Sequence, residues 1–126
     1  MAKKKILIVD EDAGVRETLS GIFEYERYTA FTAKTGSNAL KLLKTKSIDL
    51  IFLDIHLLDI LENVIINEQS PPVILTGKKV TPEIVPEALR KGAVDFLEKP
   101  LSLEKLLVLA KRAIKSNVPK QNSLLT

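Results

Sequence analysis

Short apolar runs that stop at a polar residue, with stretches of helical spacing between them, constrain this chain most. Ile6-Leu7-Ile8-Val9 stops at Asp10, Leu50-Ile51-Phe52-Leu53 stops at Asp54, and Val73-Ile74-Leu75 stops at Thr76-Gly77. A strand with one wet face alternates apolar and polar residues. One that is apolar at every position is buried on both faces, as in a parallel sheet covered by helices. Residues 28–32 and 93–97 are weaker strand candidates, rich in aromatic and β-branched side chains.

Between the runs the period changes. Val15, Leu19, Ile22 and Phe23 share one helical face, with Asp12 placed to cap it, and Thr35 precedes Ala39, Leu40 and Leu43 in the same way. The last helix carries Leu103, Leu106, Leu107, Ala110, Ala113 and Ile114 as a stripe behind Ser102, with Leu101 and Leu106 spaced as a hydrophobic staple. Gly92 after Arg90-Lys91 reads as a helix stop. Two helices are less regular. Residues 57–69 lack a clean stripe and end at Ser70-Pro71-Pro72. In the next helix Pro86 follows Thr81-Pro82, so it either frays before Pro86 or begins there. Five strands alternating with helices predict an α/β fold, a doubly wound five-stranded parallel sheet with right-handed crossovers. Ligands bind such sheets beyond the carboxyl ends of the strands.

Composition removes several alternatives. The 126 residues suit a single domain, and 45% apolar with 28% charged residues supports a real core. There is no cysteine, which excludes disulfides and thiolate metal sites, and His56 is the only histidine. A net charge of +3 does not demand nucleic acid, and Lys3-Lys4-Lys5 reads as a solubilising lead into the first strand. No apolar stretch approaches the ~20 residues that span a bilayer, and no signal peptide core is present, so a cytoplasmic protein is expected.

The polar residues after the strands form a chemical set. Asp10, Glu11 and Asp12 follow the first run, Asp54 the third strand, Thr76 the fourth, and Lys99-Pro100 the fifth. Carboxylates gathered at one sheet end repel unless a cation joins them, and oxygen ligands alone favour a hard ion such as Mg²⁺. A lysine and a hydroxyl beside that ion make a pocket for a phosphoryl group. Each residue also has a plainer role: Asp as helix cap, Thr76 as turn, Phe96 as core, Lys99 as surface charge, and His56 as an exposed bystander.

The strings ILIVDED, IFLDIHL, VILTG and GAVDFLEKP resemble the four signature segments of CheY-like receiver domains of two-component response regulators. The ending GAVDFLEKPLSLEKLLVLAKRAI is most similar to receivers of NtrC-type, sigma-54-dependent activators. The resemblance covers about residues 4–115 and implies a strand order of 2-1-3-4-5. It predicts a receiver domain over 1–115 and a polar tail, or the start of a linker to an effector, over 116–126.

The resemblance further implies that Asp54 is the phosphoacceptor for a histidine kinase. Asp10, Glu11, Asp54 and the backbone carbonyl of His56 would hold Mg²⁺. Thr76 and Lys99 would meet the phosphoryl oxygens, and Thr76 and Phe96 would form the switch. Pro100 would follow a cis peptide. Implied partners are a sensor histidine kinase, an AAA+ and DNA-binding effector, and a second copy. That copy would pair through the fourth helix, fifth strand and fifth helix, or through the linker. No G-x-x-x-x-G-K-[ST] loop and no DNA-reading helix occurs, so this segment itself should bind neither nucleotide in that way nor nucleic acid.

The departures are local. Leu58 and Glu62 stand where the family usually has proline and glycine, Glu11 replaces the commoner second aspartate, and Thr76 follows Asp54 by only 22 positions. That spacing is about two helical turns short of the family's usual one and implies a shortened third helix or shorter flanking loops. Two rival functions are an unphosphorylated dimerisation module with a relic pocket, and a small haloacid-dehalogenase-like phosphohydrolase. The latter needs a second Asp two residues after the nucleophile, where this chain has His56.

Overall fold

The computed structural model describes residues 2–60, 70–78 and 92–116, together with 83, 86, 87 and 90. In chain order the elements are β1 (Lys5–Val9), α1 (Ala13–Tyr25), β2 (Thr29–Ala33), α2 (Gly36–Thr45), β3 (Leu50–Asp54), a 3₁₀ stretch (Ile55–Ile60), β4 (Val73–Gly77), β5 (Asp95–Glu98) and a C-terminal helix, α3 (Leu103–Ser116). The five strands pair in parallel in the order β2-β1-β3-β4-β5, as the family resemblance implied.

The continuous apolar runs have the predicted cause. Leu7, Val9, Ile51, Leu53, Val73 and Leu75 face one side, where Ala39 of α2 joins them in one core. Ile6, Ile8, Leu50, Phe52 and Ile74 face the other, against Leu19 and Phe23 of α1 and Leu106, Ala110 and Ala113 of α3. Successive side chains of a strand point to opposite faces, so a sheet with two covered faces needs apolar residues at every position. Each such side chain contributes about 1.5–3 kcal/mol of burial.

Helix boundaries follow local chemistry. The Asp12 carboxylate accepts from the amides of Gly14 at 2.8 Å and Val15 at 3.3 Å. Thr35 Oγ1 accepts from Asn38 at 3.1 Å, and the Leu106 amide donates to the Ser102 carbonyl at 2.9 Å. α1 ends without a glycine: Arg27 takes φ 70° itself. The Tyr28 amide donates to Phe23 O and the Arg27 amide to Glu24 O, the paired bonds of a Schellman turn. The Tyr28 ring also meets the Phe23 ring edge-on, with centroids 5.6 Å apart, and this contact offsets the cost of a side chain at positive φ. Gly92 has φ 105°, as a stop residue should.

Two details correct the sequence reading. Leu103, expected in the buried stripe, is 54% exposed, because it sits in the first turn of α3 over an open seam beside Thr18 and Ile22 of α1. α3 also runs through Ser116, one residue into the stretch expected to be tail. The described part of the third helical segment is 3₁₀ with a non-helical Leu57, and Pro86, Glu87 and Arg90 have helical backbone. The expectations of a shortened third helix beyond residue 60, of how the fourth helix starts around Pro86 and of a polar tail from 117 onward fall on residues outside those described.

Candidate phosphoacceptor site

Strand parity and strand order build the site. Asp10 continues β1 by one residue, its amide donating to Ala33 O at 3.1 Å. Val9 lies opposite Leu53, and Asp54 opposite Thr76. Asp10, Asp54 and Thr76 therefore fall at adjacent strand ends and share the parity of the α1–α3 face. All three are buried, at 3%, 6% and 2% exposure.

Lys99 reaches them from the far edge. Its amide donates to Gly77 O at 2.7 Å, extending the β4–β5 ladder past Glu98. Its ammonium donates to Asp10 Oδ2 and to Asp54 Oδ2, each at 2.7 Å. The Lys99–Pro100 peptide is cis, as the resemblance implied. Gly77 allows the close approach at this end: a Cβ there would lie 2.8 Å from Ile55 Cγ2. Phe96 pairs with Leu75 and packs half-buried against the core on the opposite face, so here it is a core residue beside the site.

The second oxygen of each aspartate is also held. Asp10 Oδ1 accepts from the Asp12 amide at 2.9 Å. Asp54 Oδ1 accepts from the His56 amide at 2.8 Å, and the imidazole Nδ1 lies 2.9 Å from the same oxygen. Burial pushes the Asp54 carboxyl up, but the hydrogen bonds from Lys99 and His56 and the lysine's charge outweigh it and hold the group below its ordinary value. Burial pushes Lys99 down, and its bonds to Asp10 and Asp54 more than reverse this. Two buried carboxylates against one ammonium leave an excess negative charge, which suits a further hard cation.

Among the described residues no group of three or more carboxylates or imidazoles forms a ready-made metal cluster. Asp10 and Asp54 converge; Glu11 stays exposed at the rim. Sequence reasoning passed over two contacts. The His56 ring, expected to be an exposed bystander, touches Asp54. Arg16 donates from Nη1 to the backbone carbonyls of Asp10 at 2.8 Å and Glu11 at 3.0 Å. Only a spacing signal could have found it, since it lies four residues after the cap Asp12.

The pattern that defines the response regulator receiver domain family matches residues 6–111. The chain belongs to that family. It is therefore a receiver domain of a two-component response regulator, and the phosphohydrolase alternative falls away. The nitrogen assimilation regulatory protein NtrX of Azorhizobium caulinodans is 37% identical over 118 residues, spanning 88% of this chain and 26% of that protein. The regulatory protein AtoC of Escherichia coli is 33% identical over 118 residues, spanning 90% and 26%. The crystal structure of the receiver domain of NtrX from Brucella abortus superposes with a TM-score of 0.82 at 30% identity, covering 88% of this chain and 98% of that one. The chain thus spans about a quarter of the length of the curated NtrC-type regulators it matches. Among the described residues no helix is long and apolar enough to cross a membrane.

Proposed function

We propose that Asp54 is phosphorylated by a sensor histidine kinase and that the phosphorylated receiver controls a transcription-activating effector. The observation that carries this reading is the part-buried Lys99 ammonium shared between Asp10 and Asp54, 2.7 Å from each. An ionised carboxylate is the nucleophile. An Asp54 oxygen attacks phosphorus as the bond to the donor nitrogen breaks, and that bond's electron pair leaves with the donor. Lys99, held charged, moves from the carboxylate to the new phosphoryl oxygens, and the Thr76 hydroxyl donates to another. Asp10, Glu11, Asp54 and the His56 carbonyl would hold Mg²⁺, which supplies neutralisation of the developing charge. Occupancy of the pocket draws Thr76 and Phe96 into an alternative arrangement and shifts the population of surfaces on β5, α3 and the fourth helix.

Similarity to NtrX and AtoC supports a cytoplasmic transcription regulator with AAA+ and DNA-binding parts following the receiver. We further propose a homodimer that uses the fourth helix, β5 and α3, or the linker after α3, and is strengthened by phosphorylation. The intact nucleophile, lysine and hydroxyl favour this reading over a relic pocket in an unphosphorylated module. Beryllofluoride with Mg²⁺ tests it by NMR. Resonances of Thr76, Phe96 and α3 should shift in the wild type and stay fixed in Asp54→Asn; shifts of equal size in both proteins would contradict the switch.

A further inference from the structure

Arg16 lies in the first turns of α1, half-buried, and its side chain reaches back over the start of its own helix. One nitrogen, Nη1, bonds both the Asp10 and the Glu11 carbonyls. These carbonyls belong to the corner where the chain leaves one ladder for another. The Asp10 amide still pairs with Ala33 O of β2, and the helix ladder opens with the Arg16 amide on Asp12 O. Arg16 therefore fixes the corner by main chain at one end and by guanidinium at the other. Asp10 is held at four points: its amide on Ala33 O, its carbonyl by Arg16, Oδ1 by the Asp12 amide and Oδ2 by Lys99.

We infer that Arg16 is a positioning residue for the cation site: its clamp on the 10–11 backbone presents the Asp10 and Glu11 carboxylates to the metal. The inference rests on the proposed Mg²⁺ site. Glu11 has most need of such a device, because its side chain is exposed and its peptide alone ties it to the pocket. A planar guanidinium can bridge two carbonyls; an ammonium on a flexible stem holds them less rigidly. Partners that orient metal ligands typically alter affinity 10–100-fold when lost.

Charge and clamp act in opposite directions here, which makes the role testable by sign. As a nearby positive charge, Arg16 repels Mg²⁺, so its removal would tighten binding. As a clamp, its removal weakens binding. Mg²⁺ affinity is measured on the whole chain without phosphodonor, by amide NMR titration, for the wild type, Arg16→Ala and Arg16→Lys, with thermal melts alongside. Arg16→Ala should bind Mg²⁺ about tenfold more weakly or worse. Arg16→Lys should lie between it and the wild type. Labelling by acetyl phosphate should return close to the wild-type rate at saturating Mg²⁺ in both variants. Should Arg16→Ala not fold, the weaker binding of Arg16→Lys decides alone. An unchanged or tighter dissociation constant in the variants, with the wild type binding normally, overturns the role of Arg16 and leaves the phosphoacceptor reading standing. A wild type that binds no Mg²⁺ overturns both.

Discussion

Lys99 and Asp54, 45 positions apart in sequence, are joined at 2.7 Å by a contact that spans β4. The same ammonium holds Asp10, so removing it leaves two buried carboxylates side by side with no counter-charge. Lys99→Ala should keep its fold, because both cores lie beneath the site. In EDTA it should lose about 3 kcal/mol, the cost of breaking a buried pair. That is a melting temperature lower by roughly 10 °C. Mg²⁺ should restore part of the loss, while signalling stays impaired. Identical melts of wild type and variant in EDTA would show that the lysine contributes no stability.

The pair also sets a pH window. Asp54 is depressed below its unfolded value of about 3.9. Its contribution is therefore complete above that value and is lost as pH falls through the folded one. Lys99 is raised above about 10.4, so its contribution is complete below that value and is lost as pH rises through the folded one. The stability difference between wild type and Lys99→Ala, followed by urea titration without metal, should hold steady near neutrality and shrink in acid and in alkali. A difference that grew at either extreme would reverse the assigned signs.

Gly77 is required by space. A methyl there would meet the β-branched Ile55 at 2.8 Å, and Ile55 lies directly after Asp54 at the end of β3. Gly77→Ala should cost about 1–3 kcal/mol through overpacking. The double variant Gly77→Ala, Ile55→Ala should recover part of that loss, as a non-additive cycle in chemical denaturation.

Phe52 anchors the α1–α3 side of the sheet, 1% exposed and 5.3 Å from the Phe23 ring. Phe52→Ala should cost about 3–5 kcal/mol. A loss under 1 kcal/mol would mean that the aromatic pair is not central to that core.

Much of the architecture was legible because its causes are local. Short runs apolar at every position and stopped by a polar residue suit strands covered on both faces, and Asp12, Thr35 and Ser102 each mark a helix start by their own chemistry. The cluster of polar residues at the strand ends was legible because Asp10, Asp54 and Thr76 stop such runs. What stayed hidden depends on tertiary placement. Leu103 shares the spacing of buried leucines, but its turn overhangs an open seam. Arg27 enters the left-handed region because Tyr28 packs on Phe23, a contact no composition rule carries. The His56 ring and Arg16 look like ordinary surface groups until the turns after β3 and β1 bring them to the carboxylates.

The proposed nucleophile is Asp54, and its reaction is proposed to depend on a divalent cation. Intact-protein mass after incubation with acetyl phosphate tests both, on the wild type with Mg²⁺, the wild type with excess EDTA, and Asp54→Asn with Mg²⁺. One phosphoryl group should appear in the first sample and in neither of the others. Labelling of Asp54→Asn at the wild-type level would contradict the assignment of the nucleophile, and equal labelling in EDTA would contradict the role of the metal.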